Sequence, residues 1–310
     1  MHHLLTRIIE PGFFSSQPIH VAIVIGAAAA IVSAIVGVFT VLRGQSFAGH
    51  ALTDVSTAGG SGAILVGISP LLGFVGIGVV GSGVMDAIGV QRVRGRDLAT
   101  GFVLGASTGL AALFLYFDTT SRATTGATQQ ILFGSIFAVD PTTIPVVVIF
   151  GVVSIAIMAV IYRPLLLTSV SPDIAAAKGI PLRVVGLLFM VALAVAVGLS
   201  ALAIGAILST ALLVGPAAIA LRLTNRIASA IVVACIIGVA TTWIGVLLAY
   251  DSYSWVASHT AIPVSFMVVA LIFLMYLATG LPVFRGARRR SAHRQPRPVP
   301  ARPIMDVAEP

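Results

Sequence analysis

Two ionisable side chains, His50 and Asp54, stand out because they lie inside a stretch of the chain that is otherwise apolar or small. Four residues are about one turn of an α-helix, so both side chains face the same way and can contact one ion or each other. An ionisable group within a membrane span costs about 2.5 to 3.5 kcal/mol on insertion scales, so such groups usually line a pathway. This pair is therefore the first candidate for a functional site.

The elements that carry the pair are predicted to be membrane helices. The 310 residues are 58% hydrophobic and 9% charged, and the mean hydropathy of +1.09 is far above that of soluble domains. A bilayer core needs about 20 apolar helical residues per crossing. The sequence thus predicts an all-α, polytopic integral membrane protein with nine spans, at 19–42, 46–68, 70–90, 98–117, 142–162, 184–202, 204–221, 227–249 and 261–282.

One of the apolar runs is too long for a single crossing. At 1.5 Å per residue, a helix over 184–221 would reach about 57 Å, so we expect a turn between Gly198 and Gly205. The alternative is eight spans with one re-entrant segment. The polar connection 118–141 also contains a mildly amphipathic centre, which we expect to lie on or dip into the outer side.

The basic residues predict an orientation. With the N-terminus outside, the outer side receives only Arg7 and Arg122 of the 18 basic residues, and the other 16 lie inside. This bias favours an external N-terminal segment, 1–18, a transmembrane domain, 19–282, and a basic Pro/Arg-rich disordered tail, 283–310, in the cytoplasm. Because the charges are spread over short loops, a membrane protein is favoured over a nucleic-acid partner.

The energy source is constrained by the lysine content. A P-loop requires lysine after glycine, and the single lysine, Lys178, follows Ala177. The chain is therefore predicted not to be an ATPase itself. Gradient-driven carriers place several charged groups at mid-membrane, whereas His50 and Asp54 stand nearly alone here. This scarcity favours a separate ATPase subunit.

A short helix is predicted in the longest cytoplasmic connection, 163–183. Ser171 or Pro172 begins it, Asp173 favours its N-terminal end, Lys178 favours its C-terminal end, and Gly179 stops it. Its position suits a partner that pushes on the membrane domain from the cytoplasm. The alternative is a plain surface linker.

Several segments, taken in order along residues 19–282, resemble the permease subunits of the metal-uptake ABC transporters, which import zinc, manganese or iron. The family's second span reads approximately Gly-Asp-Ala-Leu-Ser-His-Ala, and this chain has Gly-His-Ala-Leu-Thr-Asp-Val at 49–55. Further matches are Arg96-Asp97, 130–135, 173–180, 205–218 and Ile262-Pro263. The family's proline after this motif is replaced by Ala58, and the glycines of 59–62 supply flexibility in its place.

The resemblance implies a site and a set of partners. It implies that His50 and Asp54, in exchanged order, contact the transported metal, and that this imidazole and carboxylate suit zinc, manganese or iron. It also implies a permease homodimer in the cell membrane, an extracytoplasmic binding protein that delivers the ion, and a cytoplasmic ATPase that binds ATP. The implied coupling segment to that ATPase contains Ser171, Pro172, Asp173, Ala177, Lys178, Gly179 and Ile180.

Three alternatives stay open. His50 and Asp54 could hydrogen-bond each other or a neighbouring helix in a packed core. The chain could move a metal chelate or another small solute, in which case a broad cavity lined by the small residues 59–62 is expected. It could also be a non-transporting membrane scaffold, for which alanine at both positions would leave the phenotype unchanged.

Overall fold

A computed structural model describes residues 16–88, 96–121, 126–134, 136–255 and 262–280. Regular structure within these ranges is helical and includes no strand, which confirms the all-α prediction. The predicted tail, 283–310, and most of the predicted external segment, 1–18, lie outside the described residues, so those two predictions stay predictions.

The helices follow the predicted spans closely. The α-helices of the described residues are α1 (Gln17–Leu42), α2 (Ser46–Val66), α3 (Pro70–Ile88), α4 (Arg96–Ser121), α5 (Ala127–Phe133), α6 (Ile144–Val170), α7 (Pro172–Ala177), α8 (Leu182–Ile204), α9 (Ala206–Leu223), α10 (Ile227–Trp255) and α11 (Val264–Ala278). Two 3₁₀ turns, Ile136–Ala138 and Pro141–Thr143, precede α6.

Seven of the described helices are long and apolar enough to cross a membrane. Two predicted spans fall outside this set for different reasons. Helix α2 is long enough, but it carries His50, Asp54 and several hydroxyl side chains, and α11 has only 15 residues. Nine crossings therefore remain a prediction. Helix α6 differs from its predicted span, 142–162, because it continues through Pro164 to Val170.

The long apolar run breaks at Gly205, within the predicted interval. Gly205 has a φ of +84°, a conformation that favours glycine, and it separates α8 from α9. Gly134, at the end of α5, has a φ of +76° and packs against this break so closely that a Cβ on it would lie 2.6 Å from the Gly205 nitrogen. The amphipathic segment predicted in the connection 118–141 forms α5 and the first 3₁₀ turn, where Ile131 and Ile136 are buried.

The core lies around α8 and α1, which are covered by the other helices. In the apolar windows of these two helices, 78% and 67% of the residues are buried, compared with 22% in α4. Two polar contacts inside this core are paired: the hydroxyls of Ser33 and Ser200 lie 2.6 Å apart, and Ser154 donates to the Ala192 carbonyl at 3.2 Å. Helix α4 is by contrast the least covered of the seven apolar helices.

Helix α2, which carries the candidate pair, packs mainly against α3 and α4 and also contacts α8 and α9. It crosses α3 closely at Gly59 and Gly73, where a Cβ on Gly73 would lie 2.5 Å from the Ala63 Cβ. Close approach of this kind is typical of small residues at membrane helix contacts. The candidate pair is therefore held on a helix whose neighbours are fixed by backbone contact.

Candidate functional site

The polar residues of α2 divide into two groups with different partners. Thr53, Thr57 and Ser61 are buried, and each donates to the carbonyl four residues earlier on α2, at 3.0, 2.7 and 2.9 Å. This local bonding satisfies a hydroxyl without help from another helix. His50 and Asp54 instead make their hydrogen bonds to side chains of neighbouring helices.

His50 is half-buried and contacts α9. Its Nδ1 lies 3.1 Å from Oγ1 of Thr210, in the first half of that helix. A neutral imidazole has one donor nitrogen and one acceptor nitrogen, and the hydrogen bond made by one nitrogen decides the role of the other. When Nδ1–H donates to the hydroxyl, Nε2 keeps a lone pair for an ion.

Asp54 is half-buried and contacts α4. The hydroxyl of Thr108 donates to Oδ2 of Asp54 at 2.7 Å, and the same hydroxyl lies 2.8 Å from the carbonyl of Leu104. Thr108 is exposed on the uncovered face of α4. A single neutral donor leaves most of the acceptor capacity of a carboxylate unused.

The two side chains share one side of α2, as predicted from their spacing, but among the hydrogen bonds of the described residues none joins His50 to Asp54. The expected alternative of bonds to neighbouring helices is therefore partly correct. Both residues are half-buried in this chain. The prediction that they bind a metal is not tested by these contacts.

Each chain offers a small ligand set. Within the described ranges no group of three or more His, Cys, Asp or Glu side chains could hold a metal ion together. Two ligands make a weak site, which is appropriate for an ion that must leave again. Cys235, on α10, donates weakly to the Ile31 carbonyl at 3.9 Å and takes no part.

An open apolar groove of about 630 Å³ lies between α2, α3 and α4, and its lining includes neither His50 nor Asp54. It includes Ala58 and Gly62, one and two turns beyond Asp54 on the same side of α2, and Phe114 of α4. Its lining consists of Ala58, Gly59, Gly62, Ala63, Leu65, Val66, Ile68, Leu72, Gly73, Gly76, Ile77, Val80 and Phe114, all apolar or glycine. This is the place where the chelate alternative predicted a broad cavity.

The predicted cytoplasmic helix is present as α7. Ser171 precedes it, Pro172 and Asp173 form its first turn, and it ends at Ala177. After Lys178, Gly179 adopts a φ of +74°, and the Ile180 N–H donates to the Ala175 carbonyl at 3.1 Å, which closes the C-terminal end. Ala175 is buried against the protein, whereas Ile174 is 52% exposed. This short helix therefore leaves an apolar side chain exposed.

Thr108 and Thr210 were not singled out by the sequence analysis. Thr210 lies in the 205–218 segment that carries the family resemblance, and Thr108 lies between Gly105 and Gly109. Both signals are weak, because hydroxyl residues are common on membrane helices and which helix faces α2 depends on the whole fold.

Comparisons with known proteins agree with this architecture. Residues 15–279 match the model of the ABC 3 transport family. A manganese transport system membrane protein, MntC, of Halalkalibacterium halodurans is 28% identical over 279 residues, which cover 89% of this chain and 93% of that protein. A chelated iron transport system membrane protein, YfeC, of Yersinia pestis is 29% identical over 236 residues, covering 76% and 77%.

A solved structure has the same fold. PsaBC from Streptococcus pneumoniae, in complex with Fab, superposes with a TM-score of 0.74 at 23% identity, and the match covers 87% of this chain and 93% of that one. The family match, the relatives and the fold define a multi-pass membrane permease of the metal-ion ABC transporter class. The chain belongs to the ABC 3 transport family, which confirms the resemblance found in the sequence.

Proposed function

We propose that this permease imports a divalent transition metal ion and that His50 and Asp54 contact the ion as it crosses. The observation that carries the proposal is the placement of an imidazole and a carboxylate one turn apart on α2. Each is half-buried, and each has a threonine hydroxyl as its one hydrogen-bond partner among the described residues. A retained ionisable pair in a membrane domain is best explained by a pathway.

Manganese, iron and zinc all fit an imidazole nitrogen with a carboxylate oxygen. The relatives are named for manganese and for chelated iron. Manganese is therefore the first cargo to test, and zinc and iron are the comparisons.

A second copy of the chain would complete the site. On α4, Gly101, Gly105 and Gly109 recur every four residues, and a Cβ on any of them would meet nothing beyond its own helix within 4 Å in the described part of the chain. Small residues at this spacing allow membrane helices to approach closely. Because Thr108 and its partner Asp54 adjoin the same face, a two-fold dimer through α4 would bring two ligand pairs toward one pathway.

The energy for transport would come from ATP hydrolysis by a separate ATPase subunit on the cytoplasmic side. We propose that it binds the coupling segment Ser171 to Ile180, whose exposed Ile174 supplies an apolar contact. An extracytoplasmic binding protein would deliver the ion. The proposed topology keeps nine crossings, with the N-terminus outside and the C-terminus in the cytoplasm.

A chelate is the second candidate cargo, and the cavity beside Gly59 and Gly62 favours it. The apolar lining weighs against a highly charged chelate, since burying charge without partners is costly. A bare ion needs no such cavity, because the His50 and Asp54 pairs of two chains would contact it directly.

Uptake of radiolabelled manganese, zinc, iron and chelated iron, in cells that express the complete transporter, tests the proposal. We expect one bare ion to accumulate and His50→Ala or Asp54→Ala to abolish that uptake at unchanged protein level. His20→Ala is the matched control, because His20 is exposed at the start of α1. Uptake of the chelate alone would favour the second candidate, and no uptake together with no associated ATPase would favour a scaffold.

A further inference from the structure

Two threonines from different helices hold the candidate ligands, and their hydrogen bonds differ in kind. We propose that Thr210 is a positioning residue that keeps the His50 imidazole ready for the ion, and that Thr108 occupies the Asp54 carboxylate only until the ion arrives. This inference rests on the proposed function of the pair and adds to it a way in which the two threonines help the ion to bind and to leave.

Thr210 has a fixed role because its hydroxyl has one partner among the described residues, Nδ1 of His50 at 3.1 Å. The neighbouring Ser209 instead donates its hydroxyl hydrogen to the Ala206 carbonyl of its own helix. An Nδ1–H donated to Thr210 presents Nε2 as the metal ligand and fixes the ring orientation. Without the hydroxyl, the ring would lose its tautomer preference and its alignment.

Thr108 has a choice of acceptors. Its hydroxyl lies 2.7 Å from Oδ2 of Asp54 and 2.8 Å from the carbonyl of Leu104, but it has only one hydrogen to donate. A cation at Oδ2 repels that hydrogen, which can turn to Leu104 with little loss of hydrogen bonding. When the ion leaves, the hydroxyl can return to the carboxylate. Thr108 therefore competes with the ion and assists its release.

The two roles predict opposite effects on ion binding. Thr210→Val should weaken the binding of Mn²⁺ about tenfold, the lower end of the range for outer-shell partners of metal ligands. Thr108→Val should tighten Mn²⁺ binding about threefold and slow transport at saturating ion, because a competing donor to the carboxylate is removed. Thr210→Ser and Thr108→Ser keep a hydroxyl and should behave like the wild type.

The experiment uses the permease purified with its ATPase subunit. Free Mn²⁺ is measured by its electron paramagnetic resonance signal during titration, and ATP-driven uptake of radiolabelled Mn²⁺ is measured in proteoliposomes. The controls are Thr120→Val on α4 and Ser209→Ala on α9, since among the described residues these hydroxyls bond to carbonyls of their own helices. A merely structural role for the two threonines predicts weaker Mn²⁺ binding for both valine variants. Weaker binding by Thr210→Val together with tighter binding by Thr108→Val therefore distinguishes the proposed roles from a structural one.

His50→Ala and Asp54→Ala distinguish a failure of the threonine roles from a failure of the proposed metal site. If both lose Mn²⁺ binding while the threonine variants match the wild type, the threonine inference is overturned and the proposed function stands. If Thr108→Val weakens binding, the competing role of Thr108 is overturned. If His50→Ala and Asp54→Ala bind Mn²⁺ as the wild type does, the proposed site itself is wrong.

Discussion

Arg43, in the turn between α1 and α2, donates a hydrogen bond of 3.1 Å from Nη1 to Oγ1 of Thr168, near the end of α6. The same Thr168 hydroxyl donates to the Leu165 carbonyl at 2.9 Å, so it acts as donor and acceptor at once. Arg43 also lies over the ring of the buried Phe189, with Cζ 5.4 Å from its centroid. One side chain thus joins the start of α2, which carries His50 and Asp54, to the end of the helix that leads into α7.

This link predicts a role in coupling. Movement of α7 by an ATPase would pull on α6, and Arg43 would pass that movement to α2, which carries His50 one turn from its start. We expect Arg43→Met and Thr168→Val to lower metal uptake per ATP hydrolysed about fivefold, within the usual range of coupling between sites. ATPase activity and uptake are measured in the same proteoliposomes.

The control for that prediction is Arg163→Met, which removes an exposed basic side chain of α6 and leaves Thr168 in place. Equal losses of uptake and ATPase activity in Arg43→Met would indicate general damage and would contradict a role in coupling.

The crossing of α2 and α3 predicts a stability effect. A Cβ on Gly59 would lie 2.5 Å from the Ile77 Cβ and would overlap the Gly73 carbonyl. Gly59→Ala should therefore destabilise the protein by about 1 to 3 kcal/mol, as overpacking usually does. Thermal unfolding in detergent is the measurement. Among the described residues, a Cβ on Gly83 of α3 meets no other helix within 4 Å, so Gly83→Ala should keep or slightly raise the unfolding temperature, because alanine favours the helix.

The glycine row on α4 predicts the oligomeric state. Gly105→Leu should leave the fold of one chain intact, because among the described residues nothing beyond its own helix lies within 4 Å of a Cβ at this position. It should block a dimer that packs through this face. Light scattering of the detergent-solubilised protein distinguishes dimer from monomer. Gly83→Leu adds the same side chain at another open position and should remain dimeric, and a dimeric Gly105→Leu would place the interface elsewhere.

The exposed face of α7 predicts the ATPase contact. Ile174→Asp replaces an apolar side chain, 52% exposed in this chain, with a charged one. The fold should tolerate the charge at an exposed position, whereas an apolar contact with the ATPase should be lost. Copurification of the ATPase subunit is the measurement. Leu223→Asp, at the 46% exposed end of α9, is the control, and equal retention of the ATPase by both variants would contradict the proposed coupling segment.

Local features of the chain were predictable because local chemistry decides them. The run 184–221 is too long for one crossing, and glycine is the residue that tolerates the φ of +84° at the break, Gly205. The start of α7 at Pro172 and its stop at Gly179 follow from proline and glycine preferences in the same way. Spacing alone placed His50 and Asp54 on one side of α2.

The surroundings of the pair were not predictable from local chemistry. Thr108 and Thr210 are 54 and 160 residues away from their partners, and only the packing of α4 and α9 on α2 brings them close. The glycines show the same limit. Gly59 and Gly105 look alike as small residues in apolar helices, yet one packs against α3 and the other faces open space.

The most direct test of the central claim is ATP-driven uptake of radiolabelled manganese into proteoliposomes that hold the complete transporter, with ATP hydrolysis measured alongside. Wild type is compared with Asp54→Ala, His50→Ala and the double exchange His50→Asp with Asp54→His. We predict that the single variants hydrolyse ATP but lose uptake, and that the exchange, which keeps both ligand types on one side of α2, recovers part of it. Unchanged uptake in both single variants would contradict a metal pathway at this pair.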